Sequence, residues 1–436
     1  MMRSLYSGVS GLKAHQTKMD VIGNNIANVN TVGYKSQNVT FSDLFYQTTQ
    51  TATGANEITG TGGQNAKQIG LGTQLNSISV NITGEGGTQA TGNGFDIKIN
   101  GSSFFIVQQG GTNLFTKAGN FTTDAYGNLV TQSGAYVMGY TAARNEQGDF
   151  ILQTDQLRPI SAYGPEYMTT APAQTENAEF TGNINPSDEE FTDAGSGQIT
   201  RLINVYDNLG NLYSVQVAVT RTSSTEFELQ TTGKVFSGNE EVTADELTAS
   251  GGVTLKFDPQ TGIITGDKTF GVTLTGSSAA PFVKDITVDV SQLTSYGSNT
   301  TIDSARGIDG VGAGKPVGNM TSVGIDSSGN MVAAYDNGDN VIIGQIAVAT
   351  FTNPSGLEKA GNNLFAATLN SGEFNGIGST INSLGEDMST GVIEMSNVDL
   401  ASEFTDMIVT QRGFQANSRV ITTSDSMIEE LLSLKR

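Results

Sequence analysis

Four short clusters of aspartate, asparagine and glycine carry the most metal-like chemistry in the sequence. They are Asp124-Ala125-Tyr126-Gly127-Asn128, Asp207-Asn208-Leu209-Gly210-Asn211, Asp326-Ser327-Ser328-Gly329-Asn330 and Asp336-Asn337-Gly338-Asp339-Asn340. A calcium loop needs alternating oxygen ligands and a closing bidentate Glu about six residues past its Gly. At that distance from Gly127, Gly210 and Gly329 stand Ser133, Gln216 and Tyr335, so the closing carboxylate is missing. Apolar residues follow each cluster, and hairpin turns with Gly at positive φ are the expectation. Gly310-Val311-Gly312-Ala313-Gly314-Lys315-Pro316 approximates a phosphate loop, but Asp309 occupies the first required Gly position and Pro316 the magnesium-binding Ser/Thr position. His15, the single histidine, has polar neighbours and no Ser or Cys at a known spacing. The reading is therefore of no enzyme, with no catalytic, cofactor-binding or metal-ligating residues.

Composition narrows the classes further. The chain has 436 residues, 54 of them Gly, and only 36% hydrophobic residues, a balance that favours turn-rich β-structure in two or three domains. With no cysteine, disulfides, zinc-thiolate sites and Cys nucleophiles are ruled out. The net charge is −21, distributed as +2 over residues 1–145, −14 over 146–317 and −9 over 318–436. An acidic middle segment, Glu190 and Asp207 included, reads as a soluble outer surface and argues against nucleic acid or anionic membrane as a partner. No window of about 20 apolar residues is present to span a bilayer. The first eight residues lack the apolar core and cleavage site of a secretory signal, so any export would need another route.

The elements that must position these residues are helical at both ends and β between. Leu5, Leu12, Met19 and Ile26 recur every seven residues, accompanied by Val9, Ile22 and Val29, and Gly33 stands where a helix stop is expected. At the other end Leu400, Met407, Phe414, Ile421 and Ile428 repeat with the same period. A second stripe, Val420, Met427, Leu431 and Leu434, widens the apolar face, and Ser396 with Asp399 resembles a capping box. At about 1.5 Å per residue this helix would reach about 50 Å. The two ends are expected to pack together with further copies completing the seam; two helices covering an ordinary core is the alternative. Thr48 to Gln74 reads as a linker or extended arm. Alternating segments at Phe104–Val107, Leu212–Val219 and Val341–Val348 read as strands. Lys117-Ala118-Gly119-Asn120 recurs as Lys359-Ala360-Gly361-Asn362, which suggests identical turns in two halves of one β-domain split by an insertion.

The expected architecture is thus mainly β with long terminal α-helices. A coiled-coil domain comprises 1–35 plus 396–436, and an extended connecting region 36–75 plus 371–395. A core β-domain comprises 76–145 plus 318–370, and an inserted β-domain 146–317.

Asn24-Asn25-Ile26-Ala27-Asn28-Val29-Asn30-Thr31-Val32-Gly33-Tyr34-Lys35 resembles the N-terminal signature of the bacterial flagellar rod and hook family. Gln411-Arg412-Gly413-Phe414-Gln415-Ala416-Asn417-Ser418-Arg419, running on to Leu432–Arg436, is similar to that family's C-terminal signature. Residues 115–121 and 349–357 resemble its core-domain signatures, and Asn204–Asn211 its outer domain, while 222–317 carry little recognisable signal. The resemblance implies a self-assembling homo-polymer with terminal helices lining the inner tube as a coiled coil. The large insertion favours the curved, torque-transmitting hook over a distal rod or hook–filament junction subunit. It also implies an extracellular location on the flagellum, with a distal rod protein, a hook cap, junction proteins and the type III export apparatus as partners. Phe41 and Phe45, in Phe41-Ser42-Asp43-Leu44-Phe45, resemble a short element read by the export gate, for which a buried aromatic pair is the alternative. Some relatives cross-link subunits through a cysteine, a residue this chain lacks.

Overall fold

The computed structural model describes residues 2–55, 60, 62–145, 148–191, 197–278 and 281–434. Met1, the expected insertion start at 146, residues 56–59 and 61 of the Thr/Gly-rich stretch, and Lys435 and Arg436 of the C-terminal motif lie outside the described residues. Two long helices bracket the chain, α1 at Met2–Ala27 and α2 at Leu400–Ser433. Asp399 caps α2, its carboxylate accepting the Ala401 N–H at 2.9 Å. The helix therefore starts later than a box on Ser396 implied, and the Ser396 hydroxyl accepts from the Val398 N–H instead. Likewise α1 stops at Ala27, and Gly33, at φ +67°, turns the chain beyond it.

After α1 the chain forms a long hairpin. Gln37–Asp43 pairs antiparallel with Thr73–Val80, and Tyr46–Gln50 with Lys67–Gly70. Both ends of the stretch read as a linker are thus paired in a ladder that needs few large side chains.

The core sheet takes strands from both sides of the middle segment. Tyr136–Arg144 pairs with Asn340–Ile346, Phe104–Gln109 with Val348–Ala349, and Thr112–Thr116 with Leu364–Ala366. The run Phe104-Phe105-Ile106-Val107 is wholly buried because this strand is covered on both faces: Phe105 and Val107 join one apolar cluster, Phe104 and Ile106 another. Phe150–Pro159 also pairs with Tyr136–Arg144, so the boundary expected at 146 falls inside this sheet, which continues through Thr169–Thr170.

The remaining middle segment has its own core. One five-stranded sheet contains Asn177–Asn183, Thr269–Thr275, Ile286–Thr294 and Thr301–Arg306; another contains Gln198–Tyr206, Leu212–Arg221 and Glu226–Ser237. Their inward residues, Phe180, Val217, Phe227 and Val288 among them, form a single cluster. The chain enters and leaves this domain through a paired neck, where Ala173 and Lys315 exchange backbone hydrogen bonds at 2.9 and 3.0 Å. The phosphate-loop look-alike is the returning segment of that neck. At Gly314 (φ +66°) a Cβ would lie 2.6 Å from the Thr175 nitrogen, so glycine is needed for backbone approach rather than for phosphate.

Three of the Asp/Asn/Gly clusters share one hydrogen-bond pattern. In each, the Asp carboxylate accepts backbone N–H groups two and four residues on and the Asn side-chain amide, as Asp124 does from Tyr126 and Asn128. Gly127, Gly210 and Gly329 supply the positive φ. Asp207 is fully buried within its turn, so it does not belong to the acidic outer surface expected of it. The fourth cluster differs: Asp336 accepts from the backbone and side chain of Asn319 on a neighbouring strand.

Because the outer core is separate, Phe227→Ala should cost about 3–5 kcal/mol in the unfolding of that domain. Hydrogen exchange should place the loss within residues 177–306 and leave the protection of Phe104–Gln109 unchanged.

Candidate functional site

The Asn-rich motif after α1 acts inside the chain. The Asn25 side-chain amide donates to the Gln37 carbonyl and to Glu403 Oε1, both at 2.8 Å. Its oxygen accepts from the Gln37 N–H at 3.0 Å and the Tyr34 hydroxyl at 3.2 Å. Asn24 donates to the same hydroxyl, and Thr31 donates to Asn28 Oδ1. Lys35, fully buried, donates to Glu394 Oε1 and the Gly84 carbonyl, each at 2.7 Å, and Glu394 also accepts the Gly86 N–H. Gly33 donates to the Glu394 carbonyl, and a Cβ there would lie 2.7 Å from the Ala118 nitrogen. This junction joins α1, the hairpin, the core sheet and the root of α2. Burial pushes the Glu403 carboxyl up, against the Asn25 hydrogen bond.

The repeated Lys-Ala-Gly-Asn segments both border this junction, but they are not the same turn. Gly361 has φ +92° at the end of a strand, whereas Gly119 is not left-handed. Lys117 donates to the Gly101 carbonyl and lies 5.2 Å from the Phe104 ring centre, with burial pushing it down to about 8. Lys359 lies over the Tyr34 ring at 4.7 Å and is lowered by burial. Asn363 donates to the Val32 carbonyl.

Small and polar residues bring the two helices together. Ser4 Oγ lies 3.4 Å from Ser424 Oγ, and a Cβ on Gly8 would lie 3.2 Å from Ile421. A Cβ on Gly11 would meet the Asn417 amide at 2.8 Å, and one on Gly413 the His15 ring at 2.7 Å. With Lys18–Asp406 at 3.6 Å and Asn25–Glu403, these contacts set an antiparallel register along α1. His15 Nδ1 and Thr410 Oγ1 are buried in this seam without hydrogen-bond partners. Burial, and secondarily the Lys18 charge, lowers the His15 pKa below its usual 6.5.

The seven-residue columns lie mostly beside this seam rather than in it. Leu5, Leu12, Met19 and Ile26 are half-buried, Val9 is exposed, and Ile22 is buried. On α2, Met407, Ile421 and Ile428 are half-buried, whereas Leu400 and Phe414 are exposed, as are Phe404 and Ile408. Of the C-terminal motif, Gln411, Arg412 and Gln415 also face solvent, and Asn417 meets Gly11. Phe41 sits edge-on to His15 with centroids 6.2 Å apart, while Phe45 is 76% exposed. Sequence reasoning missed Gly8, Gly11, Thr410 and Gly413; small residues spaced three and four apart on both helices were the signal available. The helix pair is thus only partly covered by its own chain, with Leu400, Phe404, Ile408 and Phe414 left exposed along α2.

Family models match in chain order. They are flagella basal body rod protein over residues 5–35, and flagellar hook protein FlgE/F/G D1 domain over 98–164. Flagellar basal body protein FlaE D2 domain matches 169–310, and flagellar basal body rod FlgEFG protein C-terminal matches 389–434. The flagellar hook protein FlgE of Borreliella burgdorferi is 36% identical over 456 aligned residues, covering 100% of both chains. The flagellar hook protein FlgE of Treponema pallidum is 36% identical over 473, again covering 100% of both. The flagellar basal-body rod protein FlgG of Bacillus subtilis is 29% identical over 440, covering 100% of each.

Removing one partner of the buried junction pair should be costly: Lys35→Met or Glu394→Gln is expected to lose about 3–5 kcal/mol by denaturant unfolding. The double variant Lys35→Met/Glu394→Met should lose less than the sum of its two single replacements. For His15 the folded pKa lies below the unfolded one, so the unfolded state binds the proton first. The helix pair should hold constant stability above about pH 6.5 and weaken as pH falls below it. Thermal melts of the helical circular-dichroism signal, repeated in His15→Gln, should lose that dependence.

Proposed function

Because this chain belongs to the flagellar rod and hook family, we propose that it is the repeating subunit of a flagellar hook, many copies forming a curved tube that transmits torque from rod to filament. One observation carries the reading beyond likeness. Asn25, Tyr34 and Lys35 of the N-terminal motif are spent on contacts inside the chain, whereas Gln411, Arg412, Phe414 and Gln415 of the C-terminal motif are left facing outward on the helix that also exposes Leu400, Phe404 and Ile408. Such a surface suits contact with further copies.

In this mechanism the helix pairs lie near the tube axis as a coiled-coil layer and hold subunits by apolar contact. The core sheet forms the next shell, and the outer domain, on its two-stranded neck, the outermost. The outer acidic surface, Glu190 included, makes wet contacts that slide as protofilaments shorten and lengthen. The subunit leaves the cell through the type III export apparatus, with Phe41 and Phe45 read by its gate. It meets the distal rod protein, a hook cap and the junction proteins at the ends of the tube. A rod-subunit reading has its own support, the full-length match to FlgG of Bacillus subtilis at 29% identity. The two hook proteins at 36% favour the hook.

Negative-stain electron microscopy of concentrated, salted-out protein should show curved tubes, and a chain lacking residues 1–30 and 398–436 should remain monomeric. Straight or single-ring assemblies would instead support the rod or junction reading. Phe414 is exposed in the single chain, so Phe414→Asp should preserve the monomer's circular-dichroism spectrum yet abolish tubes. Unchanged tubes from that variant would remove this face of α2 from the interface.

A further inference from the structure

Among the described residues the second apolar stripe of α2 is left largely uncovered. Val420, Met427, Leu431 and Leu434 are 42%, 46%, 52% and 82% exposed. Ser4 already lies opposite Ser424, so the last two turns of α2 run past the beginning of α1. Those turns carry Asp425, Glu429 and Glu430 and no basic residue before Lys435, and the helix dipole adds partial negative charge at the same end.

A complementary surface lies on α1. A cavity of about 410 Å³ opens between α1 and the root of the hairpin, bordered by Arg3, Tyr6, Val9, Lys13, Phe45 and Leu71. Tyr6 is 68% exposed and Phe45 76%, so the groove offers an apolar floor with two cations at its rim. Its own α2 is placed elsewhere: Gly8, Gly11 and His15, which meet α2, occupy a different face of α1 from Arg3, Tyr6, Ser10 and Lys13. The α2 helix also runs unbroken to Ser433, with no turn that could fold its end back.

We infer that the end of α2 from a second copy seats in this groove. Met427, Leu431 and Leu434 pack on Tyr6, Val9 and Phe45, and Glu430, on the flank of that stripe, approaches Arg3 and Lys13. The contact is head-to-tail, joining two different surfaces, so each copy leaves one surface free for the next and the array grows instead of closing as a dimer. Opposite charges at the rim set direction and register, while the apolar floor supplies attraction. This inference rests on the polymerising reading above and names the surfaces through which the polymer propagates.

Two measurements on the full chain test it. The first is a charge exchange. Arg3→Glu, and separately Glu430→Lys, should each raise the protein concentration needed for tubes severalfold, and combining the two should restore it. The second uses the absence of cysteine. Tyr6→Cys/Leu431→Cys, assembled and treated with a short bismaleimide, should give a ladder of trimers and higher species, while either single variant should stop at dimers. Tubes that form normally with no ladder and no charge rescue would overturn this docking and leave the hook reading intact. Failure of the parent chain to form any assembly would remove the reading on which the docking rests.

Discussion

A lysine and a glutamate separated by 359 residues, Lys35 and Glu394, meet at 2.7 Å in a site nearly closed to water. Neither charge is tolerable there alone. The pair therefore couples two conditions: the chain must leave α1 along one path, and it must return to α2 along an adjacent one. Glu394 also accepts the Gly86 N–H, and Lys35 also donates to the Gly84 carbonyl, so the residues after the hairpin are tied to the same point. Gly33 is pressed against Ala118 of the core sheet, and Asn25 spans from Gln37 to Glu403. Helix pair, hairpin and core consequently share one anchor.

That anchor makes sense of how the helices divide their surfaces. Once both roots are fixed, α1 and α2 run antiparallel, and glycine and serine suffice for their contact because close backbone approach replaces large side chains. Held this way, each helix is no longer an isolated segment facing the full cost of nucleation. The large apolar residues are released from intrachain duty and stand exposed or half-exposed along α2 and on the flank of α1. In the proposed polymer these are the residues that would meet neighbouring copies.

Farther from the anchor, each layer answers to its own constraints. The core sheet is covered on both sides and reads as continuous apolar runs. The outer domain closes a core of its own and touches the rest through a neck whose glycines let two backbones run side by side. Charge follows the same gradient, near neutrality toward the N-terminal third and strongly negative in the middle.

Several features were legible without coordinates. Helical ends, β character between them and hairpin turns at the Asp/Asn/Gly clusters follow from short-range rules: apolar periodicity, turn residues and local hydrogen bonding. The family resemblance was legible separately, in the motifs at 24–35 and 411–419. Even so, the Lys-Ala-Gly-Asn repeat was visible as a pattern while its meaning was not, since its copies adopt different backbones and share only proximity to residues 32–35. Likewise the sequence ranks Leu5, Leu12 and Phe414 as interface residues by their period, but their period cannot say which interface. Tertiary structure decided that Gly8, Gly11 and Gly413 face the partner helix. It also decided that the domain boundary lies beyond the strand Phe150–Pro159, and that Lys35 pairs with Glu394. Each depends on groups far apart in the chain converging in three dimensions, and the free energy of such contacts comes from burial and close packing, which no local pattern of residue types encodes.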